Sequence, residues 1–227
     1  MGRQRSAKPL FLGSNPSAAS ITTMLLYHFA KIVTGLIFKT LYPLKVKGSE
    51  NFPKKGAMIL VANHTSYFDP LYLAVAIPRQ INWMRLKPYY DLWWLRWFFK
   101  SINNFPVNIK GPNISAIKYS LRILKQGKVL GIFPEGSRSK NGRLREGEPG
   151  VALLALKSGA PILPVAIRGA FEVFPPHARL PRAFRRVKVQ LGSPLHLARV
   201  NKEPINKETL QLATAQIMKS IEKLLGR

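Results

Sequence analysis

His64 and Asp69 stand five residues apart in the stretch NHTSYFDP, residues 63 to 70, directly after the apolar run AMILVA. A histidine with a carboxylate neighbour is equipped for general-base work. The carboxylate accepts one imidazole N–H, fixes the tautomer and stabilises the cation, and the other ring nitrogen is left to take a proton. Those are two members of a Ser-His-Asp arrangement whose nucleophile is missing. The chain has no cysteine, and no G-x-S-x-G elbow occurs in it. A base without an enzyme nucleophile points to activation of a hydroxyl that belongs to a substrate. The plainer readings are a structural histidine, one of four with His28, His177 and His196, and an aspartate that caps a helix. Asp69 can serve both roles at once.

A second constellation is FPEGSRSKNGRLREG, residues 133 to 147. Glu135 offers a carboxylate to a hydroxyl, Gly136 lets backbone amides approach closely, and Arg138 presents a fork suited to phosphate oxygens. Lys140, Arg143 and Arg145 read as the charges of a solvated basic loop. Neither a P-loop nor a G-x-G-x-x-G fingerprint occurs.

Both motifs follow apolar runs of strand length, AMILVA (57 to 62) and VLGIF (129 to 133), and a third such run is ILPVAI (162 to 167). Their branched, uninterrupted character predicts buried parallel strands. Further strands are predicted at LKVK, INWMRL (81 to 86), FPVNI (105 to 109) and RRVKVQLG (185 to 192). Helices are predicted after Asp69-Pro70, with Asp69 as N-cap and the helix running through LYLAVAI. Others are expected over 115 to 127 with Gly127 as the stop, from GVALLALKSGAP, and in the tail KETLQLATAQIMKSIEKLLG. This alternation predicts an α/β fold: one domain with a largely parallel, mixed central sheet flanked by helices. In such sheets, sites gather at the carboxyl ends of strands.

The formal charge is +26 with a pI near 10.9, a surface that seeks a polyanion such as nucleic acid, an anionic membrane or a phosphorylated substrate. Residues 1 to 20 read as a basic flexible arm. Residues 21 to 44 are very apolar but interrupted by His28, Lys31 and Lys39. They fit an interfacial helix or helical hairpin better than a membrane span or a signal peptide. A terminal helix packed on the core is the alternative. Residues 45 to 227 hold the α/β domain. All four tryptophans, Trp83, Trp93, Trp94 and Trp97, fall within fifteen residues, beside Lys87, Arg96 and Lys100. That mixture suits a bilayer headgroup region or an acyl-chain tunnel, an aromatic core helix being the alternative. No nucleic-acid module is recognisable, so nucleic acid is not expected as a partner.

N-H-x(4)-D followed about 65 residues later by F-P-E-G-S-R-S resembles the glycerolipid acyltransferases, in particular the 1-acyl-sn-glycerol-3-phosphate (lysophosphatidate) acyltransferases. The likeness covers roughly residues 45 to 170, and Pro164 of ILPVAI matches a further block. The resemblance implies that His64 is the general base and Asp69 its orienting partner. It makes Glu135, Gly136 and Arg138 the pocket for glycerol phosphate. It implies a thioester co-substrate, acyl-CoA or acyl-acyl carrier protein, and no metal or redox cofactor. It also implies a lysophospholipid acceptor. The cationic charge and the apolar residues at 21 to 44 add the expectation of a monotopic enzyme on an anionic membrane, its active site at the cytoplasmic face. Two positions depart from the family pattern. Ser137 stands where many members have threonine, and Ile109 stands where an arginine helps hold phosphate, with Lys110 adjacent as its substitute. A lysolipid with another head group, an amino-lipid acceptor, or a non-catalytic basic membrane-binding protein are the rival expectations.

Overall fold

Met58–Ala62 forms a strand, β2, in which all five residues are buried. A run of this kind is stable only where helices cover both faces of a sheet, and the fold supplies them. The computed structural model describes residues 29, 32, 33, 35, 36, 40–86, 104–107, 114–197 and 205–226. The strands are β1 (Leu44–Lys47), β2, β3 (Ile81–Leu86), β4 (Asn104–Val107), β5 (Val129–Ile132), β6 (Ile162–Arg168) and β7 (Val187–Leu191). The helices are α1 (Asp69–Ala76), α2 (Ile114–Lys125), α3 (Gly150–Ser158), the short α4 (Ala170–Val173) and α5 (Lys207–Leu225).

One seven-stranded sheet has the order β1-β7-β6-β2-β5-β3-β4. Every pairing is parallel except β6 with β7. The central strand is β2, and alternate residues along it point to opposite faces. Met58, Leu60 and Ala62 pack with Leu71, Tyr72 and Leu73 of α1 and with Phe174. Ile59 and Val61 pack on the other face with residues of α2, α3 and α5. Each fully buried aliphatic side chain here contributes about 1.5–3 kcal/mol. The chain leaves β2 through α1 towards β3 on one side, whereas β5 returns through α3 to β6 on the other. The carboxyl end of β2 therefore opens where the winding reverses, the place where α/β sheets bind ligands.

The predicted strands and helices recur close to their expected bounds, and Gly127 (φ 70°) does end the turn after α2. One local reading is corrected. Asp69 is the first residue of α1, not its N-cap; that position is held by Phe68, without a side-chain cap. The strand expected at 185–192 starts at Val187, alternates buried with half-buried residues, and runs antiparallel to β6. The short α4 and a 3-10 turn at Ser49–Asn51 were not anticipated, because three or four residues carry no periodicity to read.

Residues 29, 32, 33, 35, 36 and 40 are helical, and Phe29, Ile32 and Leu36 are exposed. Among the described residues no helix is long and apolar enough to cross a membrane. The arm at 1–20, residues 21–28, 30, 31, 34 and 37–39 of the expected interfacial segment, Trp93, Trp94, Trp97, Ile109 and Lys110 lie outside the described residues.

Candidate active site

Asn63 is the first residue beyond β2, and its side-chain amide continues the ladder. Its Nδ2 donates to the Ile167 carbonyl at 2.9 Å, and its Oδ1 accepts from the Ile167 N–H at 2.7 Å. That anchor fixes where the chain turns off the sheet. His64 follows, and its Nδ1 lies 2.9 Å from Asp69 Oδ2. The same oxygen accepts the backbone N–H groups of Thr65 (2.6 Å) and Ser66 (2.7 Å). Asp69 therefore turns back over its own loop instead of capping forward, which explains its place inside α1. With Oδ2 taking backbone amides and Oδ1 buried without a hydrogen-bond partner, the group behaves as an acceptor. The imidazole then donates through Nδ1–H, and Nε2 is the nitrogen that carries the lone pair.

The His64 ring is held from its face as well. It stacks on Phe133 with centroids 3.9 Å apart and planes within 12°. Phe133 in turn stacks on Trp83 at 5.1 Å and 9°. Only 18% of the His64 side chain remains exposed, against none of Asp69, so the base is reachable from solvent while its partner is sealed. Burial pushes the imidazole below its usual pKa. The Asp69 hydrogen bond and charge pull it back up, and the charge of Arg138 pushes it down again; the net shift is downward. At neutral pH His64 is a neutral base.

The two motifs meet through backbone bonds. Glu135 Oε1 accepts the His64 N–H at 2.7 Å, and Glu135 Oε2 accepts the Arg145 N–H at 3.0 Å. The Ser139 N–H donates to the His64 carbonyl at 2.8 Å. Glu135 is 3% exposed, and burial pushes its carboxyl up to about 7 against the downward pull of those two amides. Besides the substrate-binding role expected of it, Glu135 has a structural one. Each of its oxygens accepts a main-chain N–H, which makes it a clamp between the His64 loop and the basic loop. Gly136 sits at φ 69°, a conformation that side chains with a Cβ avoid.

Arg138 is half-buried and lies over the Tyr67 ring, 3.7 Å from its centroid, a cation–π contact that holds the guanidinium close to the base. Arg145 was expected to be a bystander. Instead its backbone binds Glu135 and its guanidinium donates to Ser137 Oγ. Nothing in the spacing announces this, since an irregular ten-residue excursion separates it from Glu135. Lys140 and Arg143 are exposed, as a solvated loop requires. Trp83 is 4% exposed, stacked under Phe133, and is no headgroup contact. His64, Asp69, Gly136, Arg138 and Glu135 are brought together. Among the described residues no group of acidic or histidine side chains is arranged to hold a metal ion.

Comparison with known proteins places this arrangement. A model of the acyltransferase family matches residues 43–168. A 1-acyl-sn-glycerol-3-phosphate acyltransferase of Bacillus subtilis is 30% identical over 201 residues, covering 88% of this chain and 96% of that one. A protein of the same name from Streptococcus pneumoniae is 30% identical over 168 residues, 73% of this chain and 60% of that one. The crystal structure of the 1-acyl-sn-glycerophosphate (LPA) acyltransferase PlsC from Thermotoga maritima superposes with a TM-score of 0.66 at 23% identity, covering 96% of this chain and 85% of that one. That likeness carries the fold. The family model spans both motifs and the strands that present them, and with the Bacillus relative it shows that the chain belongs to the acyltransferase family.

Proposed function

We propose that this acyltransferase moves a fatty acyl group from a thioester, acyl-CoA or acyl-acyl carrier protein, to the free glycerol hydroxyl of 1-acyl-sn-glycerol-3-phosphate, giving phosphatidic acid. The observation that carries the proposal is His64: oriented by Asp69 through Nδ1, stacked on Phe133, partly exposed, and within the field of Arg138. Nε2 takes the hydroxyl proton as the oxygen attacks the thioester carbonyl, and the imidazolium is stabilised by Asp69. The tetrahedral oxyanion calls for N–H donors. Its collapse forms the ester, breaks the C–S bond, and returns the proton from His64 to the departing thiolate. Arg138 receives the acceptor's phosphate, with Lys110 as a second cation from the sequence. The apolar N-terminal segment and the basic surface hold the enzyme on the cytoplasmic face of an anionic membrane, where the lysolipid and the product reside.

The test is acyl transfer by purified full-length protein with labelled lysophosphatidate, a lysolipid whose phosphate is capped as a diester, and both thioester donors. Lysophosphatidate is expected to be preferred, and Arg138→Gln to raise its KM by about 10- to 100-fold, the worth of a hydrogen bond to a charged group. Equal use of an acceptor that lacks a phosphate monoester would contradict the phosphate role. The donor that supports turnover identifies the acyl carrier.

A further inference from the structure

Strand register gathers a second set of cations. Arg168, the last residue of β6, pairs with Lys188 on β7, and Lys188 pairs with Lys45 on the edge strand β1. Residues in register share a face of the sheet, so the three form a lateral row, with Lys47 next along the same face of β1. Like charges directly opposite one another destabilise a sheet. Among the described residues no acidic side chain forms an ion pair with any of the four. The crowding registers on Lys188, whose ammonium is pushed below the usual lysine range first by Lys47, then by partial burial, Arg168 and Lys45. A row of like charges that costs stability with no acidic partner is a mark of function.

The row lines a cavity of about 450 Å³ whose wall also includes Pro43, Gly169 and Arg186. Arg168 is fixed there by donating to the Leu224 carbonyl at the end of α5, and its Nε is buried without a hydrogen-bond partner. The cavity belongs to the catalytic end of the sheet, because Ile167, one residue before Arg168, is the partner of Asn63, one residue before His64. Two residues before the lining residues Arg186 and Pro43 stand Phe184, 75% exposed, and Leu41, 39% exposed. The Phe184 N–H donates to the Leu41 carbonyl at 2.7 Å. Phe184 has φ 59°, a left-handed conformation that is an outlier for a bulky residue. Exposed Arg182 and Arg185 flank Phe184 in the chain.

We propose that this cavity is a second phosphate site, separate from the catalytic one, that takes the head-group phosphate of an anionic membrane phospholipid and holds the catalytic end of the sheet against the bilayer. The cationic row supplies the charge for a phosphate. The exposed apolar side chains of Leu41 and Phe184, each two residues from its lining, assign that phosphate to a lipid, because basic residues mixed with apolar ones suit the headgroup boundary. The site is independent of which acceptor is acylated.

The experiment is sedimentation of the full chain with vesicles of phosphatidylcholine alone and of phosphatidylcholine with phosphatidylglycerol. The variant Lys45→Gln/Arg186→Gln/Lys188→Gln is compared with Lys54→Gln/Lys55→Gln/Lys125→Gln, which removes three exposed charges at the opposite end of the sheet. The first is expected to lose about a hundredfold in partitioning onto phosphatidylglycerol vesicles, at about fivefold per charge, and the second only a few-fold. Both are expected to keep acyl transfer in detergent micelles. Thermal melts guard against misfolding: with its repulsion relieved, the first variant is expected to melt at or above the wild type. Short-chain phosphatidylglycerol is expected to raise the melting temperature of the wild type but not of that variant. Equal losses in both variants, or none in the first, would overturn the site in favour of a diffuse field. Stabilisation by inorganic phosphate without any vesicle effect would overturn the lipid assignment.

Discussion

At the scale of single residues the catalytic reading rests on opposed electrostatic pulls at His64. Burial and Arg138 press its pKa below 6.5 while Asp69 raises it. Activity needs the neutral base, so kcat/KM is expected to rise with pH up to the His64 pKa and then level, with the acid limb lying below 6.5. Arg138→Gln removes a downward push, and the limb is expected to move to higher pH. Asp69→Asn removes the upward pull, so the limb is expected to move lower while kcat falls by about 10²–10⁴-fold. Rate against pH for the three proteins checks both signs at once; shifts in the same direction would contradict the geometry. The His64–Asp69 pair was legible in the sequence, because two polar residues at the end of a buried run have few purposes. Glu135 was legible as a site residue, but its clamp was not. Its partners are main-chain amides at His64 and Arg145, and backbone donors leave no trace in residue identity.

Two devices at the scale of elements hold the site. The first is the Glu135 clamp. Its carboxyl titrates near 7 when folded and near 4.5 when free, so between those values the unfolded chain gives up this proton before the folded one. Its contribution to stability accordingly falls as pH rises from about 4.5 to 7. Glu135→Gln is expected to abolish that slope in denaturant titrations. It is also expected to weaken acyl transfer, since an amide offers one acceptor oxygen where two N–H groups wait. The second device is the Trp83–Phe133–His64 stack. Gly131 is in register with Trp83, and a Cβ placed there would come within 2.7 Å of the indole. Gly131→Ala is therefore expected to cost about 1–3 kcal/mol through overpacking and to lower kcat by displacing the ring under the base. Unchanged melting and rate would show the stack to be incidental. The strands themselves were legible from their apolar runs. The stack was not, because Trp83 and Phe133 meet only when β5 is laid between β2 and β3.

For the whole molecule, a charge of +26 acts as a field more than as a set of contacts. Binding to anionic vesicles is expected to weaken steeply between low salt and physiological ionic strength, as the screening length shrinks to about 8 Å. A residual, salt-resistant fraction would report the apolar contacts. Composition gave the sign of the partner, but not where the charges gather, because the row of Arg168, Lys188 and Lys45 exists only through the register of β6, β7 and β1. The central claim is narrower: the protein supplies a base and the substrate supplies the nucleophile. Its most direct test measures vesicle binding and acyl transfer from a thioester in the same sample, for wild type and His64→Ala. The expected result is undiminished binding with turnover reduced by about 10²–10⁴-fold. Turnover that survives the loss of the imidazole would contradict it.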